Sequence, residues 1–128
     1  MADPITRCPC LSGVPYESCC GRLLAGTATA QTAEQLMRSR YSAFAVGDTN
    51  YLLATWHPTT RPDELELDKE RHWYRLDVLR AELGGPFDTT GIVEFQAYHR
   101  SAGEQGSQHE VSRFLREGGR WLYVDGVA

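Results

Sequence analysis

Every cysteine of the chain falls within thirteen residues, as Cys8-Pro9-Cys10, eight intervening residues, and Cys19-Cys20, and no cysteine follows. A scaffold held by disulfides spreads its cysteines to tie distant segments together, whereas a metal centre needs thiolates that converge on a point. The clustering points to the second case, with Cys8, Cys10, Cys19 and Cys20 as ligands. Ser12-Gly13 and Pro15 favour a chain reversal between the pairs, so that Cys8 and Cys10 face Cys19 and Cys20. Four thiolates suit tetrahedral Zn2+ at about 2.3 Å and leave no ligand position for water, which makes such a site structural. Two disulfides, four reduced thiols, or a thiolate-bound iron centre are the competing readings; the spacing is not that of a usual iron–sulfur cluster.

The 128 residues fit one folded core. No apolar run approaches the ~18 residues of a membrane span, and the first ten residues do not resemble a signal peptide, so a soluble, cytoplasmic protein with no membrane partner is expected. Thirteen basic against seventeen acidic side chains leave a net charge of −4, which disfavours phosphate backbones and so nucleic acid. Five of the acids, Asp63, Glu64, Glu66, Asp68 and Glu70, crowd one segment. That stretch reads as a solvated surface, because it lacks the ligand spacing of a calcium-binding hand.

Tyr16 to Leu24 reads as a short helix carrying Cys19 and Cys20 in its first turns, followed by a loose small-residue linker, Ala25 to Gln31. Thr32 and Gln35 form a capping box. Ala33, Leu36, Met37, Tyr41, Phe44 and Ala45 then recur at helical spacing up to a carboxyl cap at Gly47. Asp48 caps a second short helix that Pro58 terminates. The pattern next turns to period two, with strands expected at Trp73 to Arg80, Gly91 to Ser101, Ser107 to Arg116 and Arg120 to Asp125. Short glycine-containing turns between them imply an antiparallel meander, in which Val93, Phe95, Ala97 and His99 face the helices. Helices first and a strand meander afterwards define an α+β class.

The segment CPCLSGVPYESCCG, Cys8 to Gly21, resembles the SEC-C motif, the zinc-binding tail of the preprotein translocase ATPase SecA, with Leu11 in place of the usual glycine. RSRYSAF at Arg38 to Phe44, YLLATWHPTTRP at Tyr51 to Pro62 and GRWLYVDG at Gly119 to Gly126 resemble the YchJ family of uncharacterised bacterial proteins. The second, carboxyl-terminal SEC-C motif common in that family is absent here. The resemblance implies a zinc-binding hook over residues 1–24 and a nuclear transport factor 2-like cone over 32–128, whose sheet and helices enclose a pocket.

Two functions are compatible with this frame. In the first, zinc rigidifies the hook, which presents a surface to a protein partner, as the similar SecA tail does; the hook is then expected to share little core with the body. In the second, the cone is a small-molecule enzyme of isomerase, dehydratase or hydrolase type, with a histidine and a carboxylate as acid and base. Residues expected to line its pocket are Tyr41, His57, Trp73, Phe95, His99 and His109, with Glu94, Glu110 or Asp48 available to orient a histidine. Ser-x-x-Lys, nucleophile-elbow and phosphate-loop signatures are missing, which removes the usual signals for acyl transfer and nucleotide hydrolysis. The ionisable groups crowd no single strand face while the cysteines converge, and this favours binding over catalysis.

Overall fold

A computed structural model describes residues 7–126. The amino-terminal segment turns back on itself at Leu11 to Gly13, where the Cys8 amide donates to the Val14 carbonyl at 3.1 Å. Where one short helix is expected, two pieces form: a 3-10 turn at Tyr16–Ser18 and helix α1 at Cys20–Leu24, with Cys19 out of helical geometry between them. This break leaves Cys19 half-buried while Cys20 is buried.

Helix α2, Ala33–Val46, begins where Thr32 accepts a hydrogen bond from the Gln35 amide at 3.1 Å and ends at Gly47, whose φ of 80° is the left-handed conformation of a glycine cap. The Gln35 side chain reaches back to the Gln31 amide at 2.8 Å, one residue earlier than the standard box. Helix α3, Thr49–Ala54, starts on the Asp48 carboxylate, which accepts from the Tyr51 amide.

Four strands follow: β1 at Arg71–Leu83, β2 at Thr90–Ser101, β3 at Glu104–Glu117 and β4 at Arg120–Gly126. They form one antiparallel sheet in the order β1-β2-β3-β4. The meander is as the turns suggest, but β1 and β3 run longer. Ser101 pairs directly with Glu104, so Ala102 and Gly103, both at positive φ, make a two-residue hairpin turn. The glycine at 106 belongs to the strand, where it faces the His99 ring; a Cβ there would stand 2.7 Å from that ring. Edge strand β1 carries register shifts at Tyr74 and Leu79, and such bulges discourage pairing with another chain.

Alternation along β2 places Val93 and Ala97 against the helices, and with Leu76, Phe114 and Trp121 they pack on Leu36, Met37 and Tyr41 of α2. The same buried cluster contains Cys8, Cys10, Cys20 and Leu23. The expectation that hook and body share little core is therefore corrected. The segment Ala25 to Gln31 is likewise not a loose tether: Ala30 is buried, the amides of Thr27 and Ala28 donate to the Arg22 carbonyl, and the Trp121 indole donates to the Gln31 carbonyl at 3.2 Å. Small residues at 25–31 read as flexible in sequence because they carry little surface; here their smallness lets the chain lie close to the body.

Candidate metal centre

The four cysteines are brought together by three pieces of local structure. The turn positions Cys8 and Cys10, the break after the 3-10 turn positions Cys19, and the first residue of α1 positions Cys20. Leu11 supports the turn in the left-handed region, at φ 63°. Gly21 is required beside it, since a Cβ there would meet the Tyr16 carbonyl oxygen at 2.7 Å.

All four sulfurs are free thiols, and their Sγ atoms lie within 4.8 Å of one another. Cys10 and Cys19 are separated by 3.7 Å and Cys19 and Cys20 by 4.0 Å. A tetrahedral centre with metal–sulfur distances of about 2.3 Å spaces its sulfurs about 3.8 Å apart, so the donor set fits a thiolate-bound ion. Among the described residues this is the only converging group of three or more metal-ligating side chains, and the acidic segment at 63–70 forms none.

Surrounding groups fix the sulfurs. The Cys8 Sγ lies 3.5 Å from the Ser42 hydroxyl of α2, and the Cys19 Sγ lies 3.1 Å from the Ser12 hydroxyl. Arg38 of α2 donates to the Cys10 carbonyl at 2.8 Å while holding Glu34 at 3.1 Å. Hydrogen bonds from Cys20 and Cys8 hold the Cys10 thiol far below its ordinary value, and the same contacts, with burial, push Cys20 far above. Arg38 and Ser42 were not legible as parts of this site, because their role depends on α2 packing against the turn.

The residues expected around a cone pocket separate into two groups. Tyr41, Trp73 and Phe95 line a cavity of about 120 Å³ between α2 and the inner sheet face. His99 shares that face but meets the Trp73 ring edge-on, with centroids 5.0 Å apart, and stands outside the lining. His57 sits beyond α3, with Nε2 at 2.9 Å from Glu117 and Nδ1 at 2.8 Å from Thr59. His109 lies on the opposite sheet face, 2.7 Å from Glu94. Two histidine–carboxylate pairs therefore exist, and neither lines the cavity. Asp48 is spent as a helix cap. The charged, amide and hydroxyl side chains that do line it, Arg40, Gln108, Glu110, Ser112, Tyr41 and Tyr123, include only one carboxylate and no histidine.

Residues 32–126 match the family described as YchJ, middle NTF2-like domain, and residues 6–22 match the SEC-C motif. The chain belongs to the YchJ family. A UPF0225 protein of Corynebacterium efficiens is 56% identical over 117 residues, covering 91% of this chain and 89% of the relative. One from Streptomyces coelicolor is 53% identical over 123 residues, covering 96% of each. The solution structure of a SEC-C motif containing protein from Rhodopseudomonas palustris superposes with a TM-score of 0.83 at 39% identity, over 96% of this chain and 98% of that one. A crystal structure of a SEC-C motif containing protein from Psychrobacter arcticus gives 0.78 at 29% identity, over 98% and 84%. The YchJ fold is thus an α+β NTF2-like domain, here with a SEC-C motif packed against its long helix. No described helix is long and apolar enough to cross a membrane.

Proposed function

We propose that this YchJ protein is a non-catalytic protein-interaction module of the cytoplasm, in which Cys8, Cys10, Cys19 and Cys20 hold one structural Zn2+. The observation that supports the metal is the convergence of four free sulfurs within 4.8 Å of one another, with the Cys19 sulfur 3.7 Å from that of Cys10 and 4.0 Å from that of Cys20. A structural zinc site contributes an apparent ~10–16 kcal/mol in small peptides at neutral pH, which would add to the packing of Cys8, Cys10, Cys20 and Leu23 in the buried cluster in fixing the turn. The turn so fixed presents Leu11 and Val14, 53% and 39% exposed, at its tip. Exposed aliphatic side chains on a metal-braced loop suit capture of an apolar patch on another protein. Of the hook expected over residues 1–24 and the body expected over 32–128, residues 1–6 and 127–128 lie outside the described residues; the described part of the hook is the recognition element and the described part of the body its mount.

Elemental analysis of the purified chain tests the metal, with one zinc per chain expected. Crosslinking in cells tests the role: a specific crosslinked species should form with the native chain and vanish both in a Leu11→Asp/Val14→Asp variant and after metal removal. An undiminished species in that variant would refute the interaction surface. A histidine-based enzyme in the cone has no support in this geometry, because His57, His99 and His109 all lie outside the cavity lining.

A further inference from the structure

The cavity between α2 and the inner sheet face has an unusual charge arrangement. Arg40 is only 6% exposed, and it forms none of the ion pairs among the described residues. Its Nη1 donates to the Leu52 carbonyl and the Thr55 hydroxyl, both at 2.7 Å. The rings of Trp56 and Tyr123 cover the guanidinium, with centroids 5.1 and 4.6 Å from Cζ. Buried charges are ordinarily paired at contact distance. The one carboxylate lining the same cavity, Glu110, is occupied instead by the Ser112 and Tyr123 hydroxyls, the latter at 3.3 Å. One positive and one negative group therefore line a single small space without touching each other. The remaining wall is mostly aromatic, including Trp73, Phe95 and Phe114, with Met37, Ala97 and Gln108 among them and the Tyr41 hydroxyl, unpartnered among the described residues, beside them.

We propose that this cavity binds a small, uncharged, planar molecule of single-ring size whose polar edge carries both a hydrogen-bond acceptor and a donor, aromatic amides being the simplest members of the class. Size sets the upper limit: about 120 Å³ is smaller than the ~150 Å³ enclosed cavity that admits benzene in an engineered core, so one ring is the most it takes, and because the space opens to solvent on one side it need not enclose the whole molecule. The aromatic wall selects a flat apolar body. Arg40 offers N–H donors and no acceptor, while Glu110 offers acceptors and no donor, so a carbonyl directed to the first and an N–H to the second use both. A ligand with net charge would face one like charge in a low-dielectric space, which opposes carboxylates and amines alike. This inference is independent of the metal and of the interaction surface at the hook.

The test is a nuclear magnetic resonance titration of the full chain with benzamide, benzoate and benzylamine, read at the Trp73 indole and the Ala97 and Ser112 amides. Benzamide should saturate with a Kd of about 1 mM or tighter, within the range open to a ligand of nine heavy atoms. Benzoate and benzylamine should bind at least about tenfold more weakly. Ala97→Phe should fill the cavity and abolish the benzamide response. Glu110→Gln keeps the side-chain volume and leaves Arg40 as the sole charge, so this variant should reverse the preference and take benzoate about tenfold more tightly than the native chain does. No saturation by benzamide, equal or tighter benzoate binding by the native chain, or a benzamide response that persists in folded Ala97→Phe would each overturn the proposal. Should Ala97→Phe fail to fold, the native-chain titrations and Glu110→Gln decide the matter, and an unchanged preference in Glu110→Gln overturns it.

Discussion

Arg38 donates through Nη1 to the carbonyl oxygen of Cys10 across 2.8 Å, a contact between residues 28 positions apart that ties the cysteine turn to the middle of α2. The arginine is partly exposed, so its charged hydrogen bond is worth less than a buried one. Arg38→Ala should lower stability by about 1–2 kcal/mol and speed metal loss to a chelator. Denaturant titration and a timed chelator competition check both effects, and unchanged behaviour in the two would show that the link is ornamental.

Metal removal should be felt well beyond the turn. Because Cys8, Cys10 and Cys20 share a buried cluster with Leu36, Met37 and Tyr41, stripping the ion should reduce amide protection along α2 as well as in residues 8–20. In the stripped chain, the neighbouring Cys10 side chain together with burial raises the Cys8 and Cys20 thiols above the ordinary value of 9.0. A raised folded value gives stability that is fully present below the unfolded value and lost as pH rises through the folded one. Thermal unfolding of the stripped chain should therefore weaken above pH of about 9, while the loaded chain holds its thiolates already ionised and should not show this loss. Parallel melts of the two forms between neutral and alkaline pH measure the difference.

Leu11 occupies a left-handed conformation, φ 63°, at the position where glycine is usual in SEC-C motifs. A side chain there pays a steric cost of about 1–2 kcal/mol that glycine avoids, partly offset by the greater freedom of glycine in the unfolded chain. Leu11→Gly should therefore raise stability by up to about 1 kcal/mol, and it should also weaken partner capture by removing an exposed side chain. A gain in one and a loss in the other would separate the scaffold role of this turn from its surface role. Lower stability in the variant would contradict the strain argument.

What the sequence revealed depended on whether a signal was local. The cysteine spacing, the Thr32 and Asp48 caps, the Gly47 stop and the β2 alternation all express preferences within a few residues, and each reappears in the structure. The positions of the histidines did not have that character. His99 and His109 follow from strand parity, but which of them reaches a cavity depends on where α2 crosses the sheet, a non-local fact. The union of hook and body was also hidden. Arg38 and Ser42 read as one helix face among others, and only packing shows that they meet Cys10 and Cys8. Arg40, a charged residue within an otherwise ordinary helix, gave no sign of being covered by Trp56 and Tyr123.

The β1–β2 turn meets the start of α2 through two glycines. The Ala33 amide donates to the Gly84 carbonyl at 2.9 Å, and a Cβ on Gly91 would stand 2.7 Å from the Gly84 Cα and 2.9 Å from the Ala33 Cβ. Backbone lies on one side and a buried side chain on the other, so neither neighbour can rotate away. Gly91→Ala should cost about 1–3 kcal/mol, whereas Gly103→Ala, in open space at a hairpin turn, should cost only its positive-φ strain of about 1 kcal/mol. Denaturant midpoints of the two variants rank the effects, and the reverse order would mean that α2 does not dock on this turn.

The Tyr41 hydroxyl is buried and meets no hydrogen-bond partner among the described residues. Its ring packs edge-on to Trp73 with centroids 6.2 Å apart, a contact that phenylalanine preserves. An unpaired buried hydroxyl carries a desolvation penalty of about 1–3 kcal/mol, so Tyr41→Phe should stabilise the chain by about 1 kcal/mol once the small loss of edge contacts is deducted. Burial also pushes the Tyr41 phenol up from 10.0 to about 12. The folded value lies above the unfolded one, so the contribution of the neutral phenol is intact below 10.0 and disappears as pH rises toward about 12. Native chain and Tyr41→Phe should consequently lose stability at different rates across that window, with the variant falling less steeply. Identical alkaline slopes would place the Tyr41 hydroxyl in contact with water, and the expected stabilisation would then be absent as well.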